Sequence, residues 1–290
     1  MRDAYKQFGR MTNLIVRSIR GGLRRFGYDI VRHVDVDGFA APGPIWQYPR
    51  GKPLRSILVV SIPKSGSVYI NDLLRQGLRR PNVSLSPGYF PHDLADFRKV
   101  ELFARGGYVA STHFHASEQN LRILGTMLDR WVVHVRDPRS VVVSLAHHLD
   151  RHLRIDPRLM FTWAPAPPAS FTSMSIEEKL SWTVDNHLAN VVAWTRDWLE
   201  IVNRGTFNIR LTTYEELHRS ETGFAEGLLD FFEIPRSMYR APAMEKNIEK
   251  THYRSGLLGE WRTVFTPALL LLANKTIGSD LLEWFRWPLL

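Results

Sequence analysis

The sequence predicts an α/β fold in which a central parallel sheet is flanked by helices. Short runs of β-branched and other apolar residues recur along the chain, as is typical of strands buried on both faces. Between these runs lie longer segments with helical periodicity and residues suited to helix caps. Strands that alternate with helices favour parallel pairing through right-handed crossovers.

Each strand is expected where the sequence is apolar and short. The runs at 56–62, 108–112, 131–135 and 207–211 are rich in Val, Ile, Leu and aromatic residues. The first of them, which reads Ser-Ile-Leu-Val-Val-Ser-Ile, has almost no polar alternation. We therefore expect it to lie in the interior of the sheet.

The helices have recognisable start signals. Asp137 followed by Pro138 is suited to a cap and a first helical position. Ser175 and Glu178 have the spacing of a capping box. We expect helices at Val68–Leu78, from Ser117, from Pro138, and from Ser175 to about Arg204.

The composition limits the classes of protein to consider. The chain has 290 residues, 38 basic and 29 acidic, with a net charge of +9, 44% hydrophobic residues and no cysteine. A chain of this length can bury a full core, and this composition excludes wholesale disorder. The lack of cysteine excludes a disulfide scaffold, a thiolate zinc site and a cysteine nucleophile. The basic excess favours an anionic partner.

Most of the basic excess lies in residues 1–34, which contain eight basic and two acidic residues. Apolar residues from Tyr5 to Ile19 recur at helical spacing, so we expect a basic amphipathic N-terminal helix, interrupted at Gly21-Gly22. It is not a signal peptide, because charged residues interrupt each apolar run before it reaches the length of a signal-peptide core. Two interpretations stay open: the helix packs on the main domain, or it lies on an anionic membrane surface.

We divide the chain into three parts. Residues 1–34 are the basic helix, 35–55 are a linker or covering segment rich in proline and glycine, and 56–290 are the main domain. The longest uncharged stretch, 159–176, contains three prolines and so is no candidate to span a membrane. We expect 150–175 to be a long loop that covers a binding pocket together with 85–95.

The strand at 56–62 leads into a predicted anion-binding loop. Residues 63–69 read Pro-Lys-Ser-Gly-Ser-Val-Tyr and directly precede a helix. Glycine lets the backbone N–H groups turn inward, the helix start adds the positive end of its dipole, and Lys64 adds a full charge. A Walker A loop is excluded, because there the lysine follows the glycine, whereas here Lys64 precedes Gly66.

A second anion-binding element follows the strand at 131–135. Arg136 stands at the strand end, where a guanidinium can bind a phosphate through two N–H groups. Ser144 comes eight residues later, about two helical turns on and on roughly the same side. Both elements follow buried strands, which indicates a P-loop-like nucleotide-binding architecture and one ligand with phosphates at both ends.

These motifs resemble those of the sulfotransferases that use 3′-phosphoadenosine 5′-phosphosulfate (PAPS). The family's first loop reads Pro-Lys-Ser-Gly-Thr-Thr-Trp, and its second element reads Arg, seven residues, Ser. Two further family elements have counterparts in Tyr214-Glu215-Glu216 and in Arg254-Ser255-Gly256 with Gly259-Glu260-Trp261. The resemblance covers roughly residues 56–266, with the four motifs in family order.

The resemblance implies transfer of a sulfuryl group from PAPS to an acceptor hydroxyl. Lys64 would neutralise the leaving phosphate, Ser144 would restrain that lysine, and Tyr69 and Tyr214 would hold the adenine. No metal is implied, since the lysine and the N–H groups supply the positive charge. The implied cofactor-binding residues are Lys64, Ser65, Gly66, Ser67, Val68, Tyr69, Arg136, Ser144, Tyr214, Arg254, Ser255 and Gly256.

The family's general base is a histidine in a Lys-Thr-His context, which matches Ser111-Thr112-His113 here. The resemblance therefore implies His113 as the base, a role that suits imidazole because it titrates near neutral pH. His115 stays open as the alternative, since both face the same side of an extended segment.

Several positions depart from the family pattern, and three of them bear on the donor. Ser111 replaces a lysine, Val68 replaces a threonine, and Ser255 replaces a lysine. Each change removes one polar contact near the donor, so weaker cofactor affinity is expected. A member of the family that binds the donor without catalysis stays an alternative.

The acceptor is not fixed by these motifs. Aromatic residues in 85–95 and 150–175 fit a sugar, a phenol or a lipid, and a loose resemblance of the leader to bacterial polysaccharide-tailoring enzymes favours a glycan or glycolipid. We expect no nucleic-acid partner, and a cytoplasmic location that is either free or peripheral at the inner membrane surface.

Two other functions are weighed against this one. A nucleotide-dependent kinase lacks support because the sequence has no Walker A loop and no evident magnesium carboxylate. A non-catalytic basic membrane-binding or nucleic-acid-binding module explains 1–34 but not the ordered anion loops.

Overall fold

The computed structural model of the chain describes residues 29–31, 45–47, 54–87, 93–158, 164–244 and 256–289. The strands are β1 (Asp29–Val31), β2 (Ile45–Gln47), β3 (Ile57–Ser61), β4 (Val109–Thr112), β5 (Trp131–Val135) and β6 (Ile209–Thr213).

Helices connect and cover the strands. They are α1 (Ser67–Leu78), α2 (Phe97–Ala104), α3 (Glu118–Met127), α4 (Pro138–Ile155), α5 (Ile176–Thr183), α6 (Ala189–Arg204), α7 (Tyr214–Arg219), α8 (Glu221–Phe231), α9 (Trp261–Val264), α10 (Pro267–Ile277) and α11 (Ser279–Trp284). A π-helical segment, Val184–Leu188, joins α5 to α6, and short 3₁₀ turns lie at Phe171–Ser173 and Arg236–Met238.

The central sheet has four parallel strands in the order β4-β3-β5-β6. In its register Val60 pairs with Thr112, Ser61 with His134, and Val135 with Thr213. The carboxyl ends of all four strands therefore meet at one edge, which is where ligands bind in open α/β sheets. The prediction of a parallel sheet flanked by helices is confirmed.

The two faces of the sheet are packed by alternate side chains of β3, all of them buried. Leu58 and Val60 lie in one apolar cluster with Trp194 and Trp198 of α6. Ile57 and Val59 lie in a second cluster, which includes Leu73 and Leu74 of α1 and Phe224 and Leu228 of α8. Burial on both faces explains why β3 shows no polar alternation in sequence.

The predicted helix starts agree with the structure. The Asp137 side chain accepts a hydrogen bond from the Arg139 N–H and caps α4, with Pro138 in the first turn. Ser175 and Glu178 form the expected capping box at α5. Thr213 and Glu216 form another at α7, which sequence reasoning did not single out.

Several boundaries differ from the sequence expectations. The last strand lies two residues further on than 207–211, because Phe207 packs its ring against Trp131 instead of pairing in the sheet. Residues 150–155, expected in a loop, continue α4, since Leu153 is buried against Phe171 and so extends the apolar stripe of the helix. The long helix to Arg204 is interrupted by its π-helical segment.

The N-terminal part holds a small antiparallel pair. Asp29–Val31 pairs with Ile45–Gln47. β1 lies within the range 1–34, and β2 lies within the segment 35–55. The helix predicted over the preceding residues lies outside the described part of the chain. Among the described residues, none of the helices combines the length and apolar character needed to cross a membrane.

Candidate functional site

The loop between β3 and α1 has the backbone geometry of an anion cradle. Lys64 and Gly66 adopt left-handed conformations, with φ of 73° and 89°. The Ile70 N–H donates to the Gly66 carbonyl at 3.0 Å, which closes the first turn of α1. The N–H groups before it, at the start of the helix, have no acceptor within the helix. This is the arrangement that binds phosphate at helix N-termini.

Gly66 is required for space as well as for conformation. A Cβ atom at this position would lie 3.0 Å from Cδ2 and Cε2 of Tyr214. The ring of Tyr214 therefore packs directly against the loop backbone. Two predicted motifs that are far apart in sequence meet at this contact: the loop at 63–69 and Tyr214-Glu215-Glu216.

His134 of β5 contacts the loop at 63–69 through Ser65. It was not among the predicted site residues. Its Nε2 lies 3.1 Å from the Ser65 carbonyl, and its Nδ1 lies 2.9 Å from the Thr212 hydroxyl. A carbonyl only accepts, so Nε2–H donates to Ser65 and Nδ1 accepts from Thr212. Burial lowers the pKa of His134 to about 3, so the ring is neutral. The available signal was one polar residue inside an otherwise apolar strand.

Arg136 connects three of the predicted elements. Its Nη1 donates to the Lys64 carbonyl at 3.0 Å, and its Nη2 lies 3.5 Å from the Leu257 carbonyl. Its guanidinium carbon lies 4.0 Å from the centre of the Tyr214 ring, a cation–π distance. Tyr214 in turn donates from its hydroxyl to the Gly256 carbonyl at 3.3 Å.

The other predicted donor-binding residues have varied surroundings. Ser65 and Ser67 are buried, whereas Val68 is 48% exposed. Tyr69 is half-buried and its hydroxyl donates to Glu221, so it lies within reach of the loop but is held from α8. Ser144 is half-buried on α4. Arg254 and Ser255 lie outside the described residues.

His113 lies just past the end of β4, and its Nδ1 is 2.8 Å from the Ser61 carbonyl at the end of β3. Since the carbonyl only accepts, this contact places a proton on Nδ1 and leaves Nε2 as the basic nitrogen of the neutral ring. His113 is half-buried, whereas His115 is exposed. The two candidate bases therefore differ in accessibility.

The backbone after His113 is tightly held. The indole N–H groups of Trp194 and Trp198 both donate to the Phe114 carbonyl, each at 2.9 Å. The buried Asn120 amide donates to the His115 carbonyl at 2.9 Å and to the Asp93 carbonyl at 2.8 Å. These three residues, all unassigned from sequence, fix the segment that carries the candidate base.

Buried hydroxyls collect around the loop and the strand ends. The hydroxyl oxygens of Ser61, Ser65, Ser111 and Thr112 are buried and have no hydrogen-bond partner within the described part of the chain. Hydroxyls in this state are suited to donate to a polyanionic ligand. The described residues contain no group of His, Asp or Glu arranged to hold a metal ion.

Glu215 adds a carboxyl group beside Arg136. Its Oε1 lies 3.4 Å from the Asp137 N–H, and its Oε2 is buried without a hydrogen-bond partner among the described residues. Burial raises the pKa of Glu215, and the nearby Asp137 carboxylate adds to the rise.

Comparison with known proteins identifies one family and many similar solved structures. A model of the sulfotransferase domain matches residues 54–285. Mouse sulfotransferase SULT7A1, solved in complex with PAP, is 20% identical with a TM-score of 0.51 over 81% of this chain and 89% of its own. Retinol dehydratase in complex with retinol and PAP is 18% identical with a TM-score of 0.45, over 80% of this chain and 83% of its own. No curated protein is significantly similar in sequence. Because the domain model spans most of the chain, this protein belongs to the sulfotransferase domain family.

Proposed function

We propose that the protein transfers a sulfuryl group from PAPS to an acceptor hydroxyl. The observation that supports this most strongly is the meeting of three elements at Arg136, which contacts the Lys64 carbonyl, the Tyr214 ring and the Leu257 carbonyl. A donor with phosphates at both ends needs such a junction, because one site must bind the 5′-phosphosulfate and the 3′-phosphate together. The PAP carried by the mouse sulfotransferase is consistent with this ligand.

The donor would lie along the carboxyl edge of the sheet. The N–H groups at the start of α1, the Lys64 ammonium and the buried Ser65 hydroxyl would hold the 5′-phosphosulfate. Arg136, Ser144 and the segment 254–256 would hold the 3′-phosphate. Tyr214 would contact the adenine, because its ring is already placed between the loop and Arg136. Tyr69 would add a second aromatic contact.

The chemistry is an in-line displacement at sulfur. The acceptor oxygen forms a bond to sulfur while the bond between sulfur and the 5′-phosphate oxygen breaks, and PAP leaves. Nε2 of His113 takes the acceptor proton, since Nδ1–H is committed to the Ser61 carbonyl. Lys64 stabilises the charge that develops on the leaving phosphate. Positioning and electrostatics supply most of the rate, as in phosphoryl transfer.

We infer a glycan or glycolipid hydroxyl as the acceptor and a cytoplasmic location, with residues 1–34 as contact to an anionic membrane. The aromatic residues in 85–95 and 150–175 support this acceptor, and the basic residues in 1–34 support the membrane contact. The family assignment favours sulfuryl transfer over the kinase alternative.

The proposal is tested first by calorimetry with PAP at low salt. Saturable binding that weakens tenfold or more in Lys64→Ala is expected, because one full charge is lost. Binding that does not saturate would refute the choice of donor.

The base is tested by turnover with labelled PAPS and a panel of sugar, phenol and lipid alcohols. His113→Ala should lower kcat by about a hundredfold or more and leave PAP affinity within about twofold. His115→Ala, a matched loss of an imidazole two residues away, should retain activity. The reverse result would assign the base to His115.

A further inference from the structure

Arg139 is a fully buried arginine with no role in the site described above. It forms a two-pronged ion pair with Asp137, from Nε to Oδ1 at 3.0 Å and from Nη2 to Oδ2 at 2.8 Å. Its remaining nitrogen, Nη1, donates to the Asn274 side-chain oxygen at 2.9 Å and to the Pro288 carbonyl at 2.8 Å. The guanidinium thus joins the start of α4 to α10 and to the C-terminal segment.

Trp261 completes this cluster. Its ring lies 3.8 Å from the guanidinium carbon of Arg139, and its indole N–H donates to Asp137 Oδ2 at 3.1 Å. Trp261 is fully buried and begins α9, a few residues after Gly256 and Leu257. The cluster of Asp137, Arg139 and Trp261 therefore joins the start of α4 to the start of α9.

The cluster is linked through the chain to the 3′-phosphate part of the proposed donor site. Asp137 directly follows Arg136 in the chain, and Ser144 lies further along the helix that Asp137 caps. Leu257, whose carbonyl lies 3.5 Å from Nη2 of Arg136, comes four residues before Trp261 in the chain. A shift of the Asp137 anchor or the Trp261 anchor would therefore move Arg136 relative to Ser144 and Leu257.

The ion pair with Asp137 determines the role of Arg139 beside the proposed donor site. Its guanidinium is fully buried and its charge is matched by the Asp137 carboxylate, so it does not itself bind a phosphate. A buried ion pair of this kind contributes little net stability compared with apolar packing, but it specifies geometry through its fixed fork of donors. The arrangement is that of a positioning residue.

We propose that Arg139 positions the 3′-phosphate site, and that the C-terminal segment holds Arg139 in place through Asn274 and the Pro288 carbonyl. This inference rests on the proposed function, since it assumes a donor with a 3′-phosphate. It makes residues 274–288 part of the donor site although they contain none of the sequence motifs.

Arg139→Lys is the most informative change. Lysine keeps the charge that balances Asp137, but its single ammonium cannot reach Asp137, Asn274 and Pro288 together. The full-length variant is titrated by calorimetry with PAP and with 5′-AMP. The dissociation constant of 5′-AMP divided by that of PAP reports the contribution of the 3′-phosphate alone. A general loss of stability does not change this ratio.

We expect that ratio to fall at least tenfold, which corresponds to about 1.4 kcal/mol. The affinity for 5′-AMP should stay within about threefold, because the loop at 63–69 is untouched. Arg80→Lys is the matched control: Arg80 is also buried and donates to the Arg55 carbonyl at 2.6 Å, ahead of β3 at the opposite edge of the sheet. It should leave the ratio unchanged.

Asn274→Ala gives a milder second test if Arg139→Lys does not fold. It removes the side-chain oxygen that accepts from Arg139 and should lower the ratio about threefold. A ratio within twofold of the wild type in the folded variant overturns the positioning role. A wild-type protein that binds PAP no better than 5′-AMP refutes the proposed donor instead.

Discussion

Replacing His134 by glutamine should flatten the dependence of stability on pH. In the folded protein the imidazole is fully buried between Ser65 and Thr212, and burial lowers its pKa from 6.5 to about 3. In the unfolded chain it titrates at its ordinary value. Between these two pH values the unfolded state binds a proton that the folded state does not, so stability falls as the pH falls.

The size of the effect follows from the two pKa values. Linkage gives a loss of about 2 kcal/mol in the free energy of unfolding between about pH 7.5 and about pH 5 from this group. That is a sizeable part of the 5–15 kcal/mol typical of a folded domain. Glutamine can present one donor and one acceptor in the same place without titrating, so His134→Gln should cost about 1–2 kcal/mol at neutral pH and lose less on acidification.

Urea denaturation followed by tryptophan fluorescence at several pH values measures both quantities. The curves of wild type and His134→Gln should converge by about 2 kcal/mol as the pH falls to about 5. Thr212→Val is the control, because it removes the hydroxyl that donates to Nδ1 but keeps the imidazole. It should lower stability yet keep the steep pH dependence. Parallel curves for wild type and His134→Gln would refute a neutral buried imidazole.

Two further changes test the donor loop and the N-terminal segment. Gly66→Ala should raise the dissociation constant of PAP about tenfold, because a Cβ at φ 89° meets the Tyr214 ring at 3.0 Å. Gly205→Ala is the control: Gly205 has φ 64° with open space around it, so this change should lower stability without changing PAP affinity. Replacing four N-terminal arginines by glutamine in the full-length chain should weaken binding to phosphatidylglycerol vesicles and leave PAP binding intact, whereas unchanged vesicle binding would reject the membrane contact. The four are Arg17, Arg20, Arg24 and Arg25.

The fold was predictable because its signals are local. The run at β3 is apolar at every position since the strand is buried on both faces, and Asp137 with Pro138 starts α4 without help from distant residues. The loop at 63–69 carries its own lysine and glycine. Boundaries were less predictable where packing decided them, as at Leu153, whose burial against Phe171 extends α4 beyond the expected start of a loop.

The support of the site was not predictable, because its partners are distant in sequence. The contact of His134 with Ser65 joins residues 69 positions apart, and the indole of Trp194 reaches Phe114 across 80 positions. A motif describes the residues that face a ligand. It does not indicate which other residues hold the ligand-facing residues in place. Supporting residues such as His134 and Trp194 were found only from their hydrogen bonds and burial.

Arg136 and Arg139 make this difference concrete. Both belong to one short stretch of sequence, Arg-Asp-Pro-Arg, and no local pattern separates their roles. Their partners do: Arg136 contacts the Lys64 and Leu257 carbonyls at the strand edge, whereas Arg139 contacts Asn274 and Pro288, 135 and 149 residues further along. The motifs end near residue 266, yet Asn274 and Pro288, which lie beyond them, contact Arg139. The functional unit therefore extends to the C-terminal helices, and a boundary drawn at the last motif would remove the residues that hold Arg139.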